Sequence, residues 1–106
     1  MKKKALFLDR DGVINIDKVH TFKIDDFEFI KGIFDLCKTA ILNNYIIIVI
    51  TNQSGISRKL YTEEDFAQLT EYMLRKFKEK NINITKVYHC SYHPDFPIEE
   101  FKNMKN

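Results

Sequence analysis

The sequence predicts an α/β fold, a parallel sheet wrapped by helices, and three observations predict it. Apolar residues at helical spacing alternate along the chain with short strand-like runs. One of those runs, Tyr45–Thr51, is unbroken and rich in β-branched residues. A strand that is apolar on both faces needs cover on both, which makes the expected architecture Rossmann-like, with three layers in the order α/β/α. The order strand, loop and helix then repeats, so two right-handed crossovers would place three strands in parallel.

Each element has its own signal. Lys4–Asp9 reads as the first strand, and Lys31–Asn44 as a helix with Ile33, Phe34, Cys37 and Ile41 on one face. After Tyr45–Thr51, Thr62 and Asp65 resemble a capping box that opens a second helix, with Phe66, Leu69, Met73 and Phe77 at helical spacing as far as Lys80. Asn81 and Asn83 end it. Ile84–Cys90 reads as the third strand, Thr85, Val87 and His89 alternating with Lys86, Tyr88 and Cys90. Beyond it the pattern is irregular: Pro94 and Pro97 oppose a sheet interior, and Glu99–Lys102 makes one helical turn at most.

Bulk properties bound the function. With 106 residues, 44% hydrophobic and nine Phe, the chain can build one core, so residues 1–106 are expected to form a single domain. A formal charge of +2 gives no mandate for nucleic acid or membrane partners. The basic run Arg75, Lys76, Lys78 and Lys80 reads as a solvated helix face that complements the helix dipole. Met1–Lys4 is basic, but Ala5–Leu8 after it is too short an apolar run for a signal peptide, and a cytoplasmic protein is expected. Two cysteines, Cys37 in a helical pattern and Cys90 at a strand end, make no disulfide framework.

Chemistry collects where the strands of such a sheet end at their carboxyl sides. Asp9 ends the first strand and Thr51 the second. Residues two apart in an extended chain share a side, so Asp9 and Asp11 are expected to face one point while Arg10 faces away. Gly12 would then fold the backbone into an anion nest of successive N–H groups. Two unneutralised carboxylates repel, and a hard cation such as Mg²⁺, which also bridges to phosphate oxygens, resolves this.

At this point the sequence resembles a family. "FLDRDGVIN" at Phe7–Asn15 is similar to the first motif, DxDG, of the haloacid dehalogenase-like phosphatases, and "ITNQSGI" at Ile50–Ile56 to their second. With "DDFEFIKG" at Asp25–Gly32, "YTEEDF" at Tyr61–Phe66 and "YHCSYHP" at Tyr88–Pro94, the string resembles the branch of D-glycero-D-manno-heptose 1,7-bisphosphate and histidinol-phosphate phosphatases.

The resemblance implies a small phosphorylated sugar as substrate and Mg²⁺ as cofactor. Asp9 would be the nucleophile and a metal ligand. Asp11 would be the acid and base, its proton affinity raised by the carboxylate beside it, and would give the metal its main-chain carbonyl. Thr51 and Asn52 would hold the phosphoryl group, Gln53 and Ser54 would line the substrate loop, and Asn15 and Asp17 would meet the sugar. Arg10 and Arg58 join the substrate-binding set. The alternatives are a histidinol-phosphate phosphatase and a non-catalytic remnant that binds phosphate or a partner.

The sequence also departs from the family pattern. A zinc loop there takes four ligands, and this chain offers Cys90 and at most His93, with Tyr92 at the second ligand position, counting His89 as a third. A structural zinc is therefore not expected. The later Lys and acidic motifs have no counterpart after Cys90, since Lys102, Lys105, Asp95 and Glu99 follow no strand pattern. The expectation is a front portion of the fold, truncated after the third strand. Ala5–Leu8 would then be an open apolar edge through which the chain can self-associate.

Overall fold

The computed structural model describes residues 4–90. Strands β1 (Lys4–Leu8), β2 (Tyr45–Asn52) and β3 (Ile84–Cys90) alternate with helices α1 (Ile33–Leu42) and α2 (Glu63–Glu79), and a short 3-10 turn spans Ile24–Asp26. The strands lie side by side in the order β1-β2-β3, both pairs parallel, with Leu6 opposite Ile47 and Leu8 opposite Val49. This is the α/β fold with a parallel sheet that the periodicity indicates.

Local chemistry sets the element ends. α1 starts after Gly32, whose φ of 91° is costly for a residue with a Cβ. Asn44 (φ 74°) and Asn81 (φ 63°) take the left-handed conformation just beyond the helices and stop them. The capping box of α2 is complete: Thr62 Oγ1 accepts from Asp65 N, and Asp65 Oδ2 accepts from Thr62 N, both at 3.0 Å.

Strand order decides where the layers lie. Both crossovers advance in the same direction, and right-handed crossovers of the same direction put their helices on one face. Accordingly Ile33 and Cys37 of α1, and Leu69, Met73 and Phe77 of α2, share one buried cluster with Leu8, Ile47 and Val49. Phe34 and Phe77 join the two helices edge to face at 5.2 Å. Of the three expected layers, the described residues supply the sheet and one helical layer. The other face carries Phe7, Ile50 and Tyr88, each about half exposed or more. Ile41, expected on the inner stripe, is exposed. It lies in the last turn of α1, at the margin of the sheet, and Ala40 packs against the core in its place. In β3 the register shifts between Ile47 and Ile48, so Ile84 pairs with Ile47 and Val87 with Val49. That irregularity interrupts simple alternation and brings two residues of opposite parity to the core.

The segment between β1 and α1 is stitched to itself. Ile30 N donates to Ile14 O and Ile16 N to Glu28 O, both at 2.8 Å. Phe27 and Phe29 then pack edge to face at 5.0 Å, and Phe29 reaches Phe34 and Phe77 at 4.9 and 5.7 Å. The segment that frames the site is therefore anchored in the core.

Candidate active site

β1 and β2 end together, and a cleft of about 320 Å³ opens there, lined by Asp9, Asp11, Asp17, Val19, His20, Asn52, Gln53, Ser54 and Tyr61. Asp9 is exposed, and its Oδ1 accepts from Arg10 N at 2.8 Å. Side-chain alternation sends Arg10 to the opposite, helix-covered side, where it is buried.

Asp11 shares the cleft with Asp9 and is bound to Arg10 as well. The extended backbone ends at Leu8, the chain turns at Gly12 (φ 92°), and Asp11 swings to the buried guanidinium. Arg10 Nε donates to Asp11 Oδ1 at 2.9 Å and Nη2 to Oδ2 at 3.1 Å. The expectation that Arg10 faces away from the pair is thus corrected: its guanidinium is bound to Asp11. Arg10 Nη2 also donates to Thr21 O at 2.8 Å, and the guanidinium lies 5.8 Å from the ring centres of both Phe27 and Phe66. Two aromatic faces and a bidentate carboxylate offset the cost of burying this charge.

The expected anion nest is also corrected. Gly12 N donates to Asn15 O at 2.7 Å, while Val13, Ile14 and Asn15 N–H groups all converge on Arg10 O. These donors close the turn and are spent.

Several expected substrate contacts face inward. Asn15 is buried, and its Nδ2 donates to Asp11 Oδ1 at 3.0 Å. Thr51 is buried, and its Oγ1 accepts from Gln53 Nε2 at 2.9 Å. Gln53, also buried, donates from the same nitrogen to Asp11 Oδ2 at 3.2 Å. Asp17 lines the cleft and its Oδ1 accepts from Val19 N at 3.0 Å. Asn52 and Ser54 line the cleft too, whereas Arg58 is exposed and is not part of the lining.

Sequence reasoning assigned no role to Val19, His20 or Tyr61. Tyr61 is buried, its ring stacks on Phe22 at 5.1 Å, and its hydroxyl donates to Gln53 Oε1. Burial pushes the phenol up to about 12; Arg10 opposes that rise, and Asp11 and Glu63 reinforce it. It lies in a loop, where no periodicity marks a residue as buried.

For a hard cation, the end of β1 offers the Asp9 carboxylate and the Asp11 main-chain carbonyl, both of the right oxygen chemistry. Among the described residues no three His, Cys, Asp or Glu side chains converge as a metal site, so these two oxygens would be only part of a shell, with water and phosphate completing it. At the position of the family's zinc loop, Cys90 is an exposed free thiol, and His89 Nε2 pairs with Glu63 Oε1 at 2.8 Å. Tyr92, His93, Asp95, Glu99, Lys102 and Lys105, and the irregular tail from Pro94 onward, lie outside the described residues, as do Met1–Lys3.

A parallel sheet with an aspartate pair after its first strand, and Thr-Asn at the end of the second, defines the haloacid dehalogenase-like class. No protein-family model matches the chain. It is 58% identical over 90 residues to the D-glycero-alpha-D-manno-heptose-1,7-bisphosphate 7-phosphatase of Campylobacter jejuni, covering 85% of this chain and 52% of that protein. It is 53% identical over 93 residues to the beta-anomer 7-phosphatase of Helicobacter pylori, covering 87% and 54%. The crystal structure of the D,D-heptose 1,7-bisphosphate phosphatase from B. bronchiseptica, complexed with magnesium and phosphate, overlays with a TM-score of 0.79 at 26% identity, over 87% of this chain and 52% of that one. A protein of Mesorhizobium loti described as a HAD-like phosphatase overlays at 0.80 with 32% identity, over 86% and 44%. The chain is a homologue of the haloacid dehalogenase-like heptose bisphosphate phosphatases and matches their N-terminal portion. It spans about half the length of the curated relatives it matches.

Proposed function

We propose that this chain carries the nucleophile-bearing portion of a cytoplasmic, Mg²⁺-dependent phosphatase that removes the 7-phosphate of D-glycero-D-manno-heptose 1,7-bisphosphate. The supporting observation is the cleft itself, where Asp9 and Asp11 from the end of β1 meet Asn52 and Ser54 from the end of β2. Relatives of both anomeric names match, so the likeness favours the heptose and leaves the anomer open.

In this reading an oxygen of Asp9 attacks phosphorus and the bond from phosphorus to the sugar oxygen breaks, leaving an aspartyl-phosphate. Asp11 gives the departing sugar oxygen its proton, then takes one from the water that attacks phosphorus and releases phosphate. Asp9 and the Asp11 carbonyl would hold Mg²⁺, which when bound neutralises the phosphoryl oxygens. Asn52 receives the phosphoryl group, and Asp17 and Ser54 serve the sugar side.

Phosphate release from the bisphosphate, followed by ³¹P NMR with Mg²⁺ present, tests this. The expected result is loss of the 7-phosphate signal, abolished by Asp9→Asn. Turnover that survives that substitution removes Asp9 as nucleophile. Among the described residues β1 is an edge strand, and with Phe7 60% exposed this supports a second proposal, self-association of the chain along that edge.

A further inference from the structure

We propose that Gln53 is a positioning residue that fixes Asp11 against Thr51, with Tyr61 holding its amide; this rests on the phosphatase reading of Asp11. Gln53 touches the ends of all three strands. Its main-chain N–H donates to Cys90 O of β3 at 2.7 Å. Its Nε2 reaches Thr51 Oγ1 of β2 at 2.9 Å, and Asp11 Oδ2 beyond β1 at 3.2 Å. Its Oε1 accepts from Tyr61 Oη and, at 3.4 Å, from Arg10 Nη2.

The direction of the amide follows from chemistry. A guanidinium only donates, so Oε1 must face Arg10, which turns Nε2 toward Asp11. Arg10, Asp11 and Gln53 thereby close a ring of three mutual contacts, to which Asn15 adds a fourth donated bond on Asp11. The carboxylate is held at both oxygens.

Tyr61 is itself constrained. Its ring is stacked on Phe22, and Gly55 packs so closely that a Cβ there would run into the ring. The hydroxyl is therefore aimed at Gln53 by packing. A proton-transfer group misplaced by about 1 Å loses about 10²-fold in rate, which is the size of effect this clamp can control.

Gln53→Glu keeps the shape and turns the donor pair into oxygen facing Asp11. It should lower kcat for the heptose bisphosphate by about 10²-fold with KM within about 3-fold, and Tyr61→Phe should lower kcat by about 10-fold in the same pattern. The side-chain amide NMR signals of Asn15, which touches Asp11 but is not bonded to Gln53, should shift in both variants while each remains folded. If Tyr61→Phe leaves kcat within twofold and the Asn15 signals in place, the proposal is overturned, whether or not Gln53→Glu folds. Wild-type chain without turnover would sink the phosphatase reading alone, and the Asn15 signals then decide the clamp.

Discussion

The two faces of the sheet differ, and the difference continues past the strand ends into the cleft. On the helix-covered face Ile47 and Val49 are fully buried, and the same parity carried onward gives buried Thr51 and Gln53; on β1 it runs from Leu6 and Leu8 to buried Arg10. On the open face Phe7 and Ile50 are 60% and 49% exposed, and the same parity leads to exposed Asp9 and Asn52. One period of two therefore sorts the site into an inner wall that holds and an outer lip that reaches solvent. In the proposed reaction the lip makes the bond to phosphorus, and the wall orients the proton donor.

The comparison breaks most sharply at Arg10. Arg10→Met should cost about 3–5 kcal/mol in urea unfolding, because it strips a half-buried carboxylate of its cation, and a loss under about 1 kcal/mol would mean that the inner wall is not held by this pair. Next, Ile47→Ala should cost about 2–5 kcal/mol, whereas Ile50→Ala, on the face without the helices, should cost about 1 kcal/mol or less; equal costs would show the open face to be covered.

A further effect is in pH. Burial pushes Cys37 from 9.0 up to about 11, and Tyr61 from 10.0 up to about 12. Both hold their protons more tightly folded than unfolded, so their contribution is fully present below about pH 9 and declines as pH rises through 11 and 12. Unfolding free energy measured from pH 8 to 12 should fall in that window, and less steeply in Tyr61→Phe.

Much of this was legible in the residues. The Phe66, Leu69, Met73, Phe77 stripe, the Thr62 and Asp65 box and the β-branched run of β2 are local patterns, and local patterns survive folding because neighbours in sequence enforce them. Asp9 at the strand end followed from the same period. The fate of Asp11 did not, because its partner depends on where the strand stops and how Gly12 turns. Nor did the buried loop residues Tyr61 and Gln53, whose contacts lie 8 and 42 residues away in the chain.

By itself the sequence determined the element order, the register of polar and apolar residues, and which strand ends carry acids, since each depends on spacing within a few residues. Only the tertiary structure decided that Arg10 neutralises Asp11, that Gln53 links three strand ends, and that both helices of the described residues cover the same face of the sheet. Those depend on chain direction and on burial, which bring a cation, an amide and a carboxylate from separate segments to within hydrogen-bonding distance.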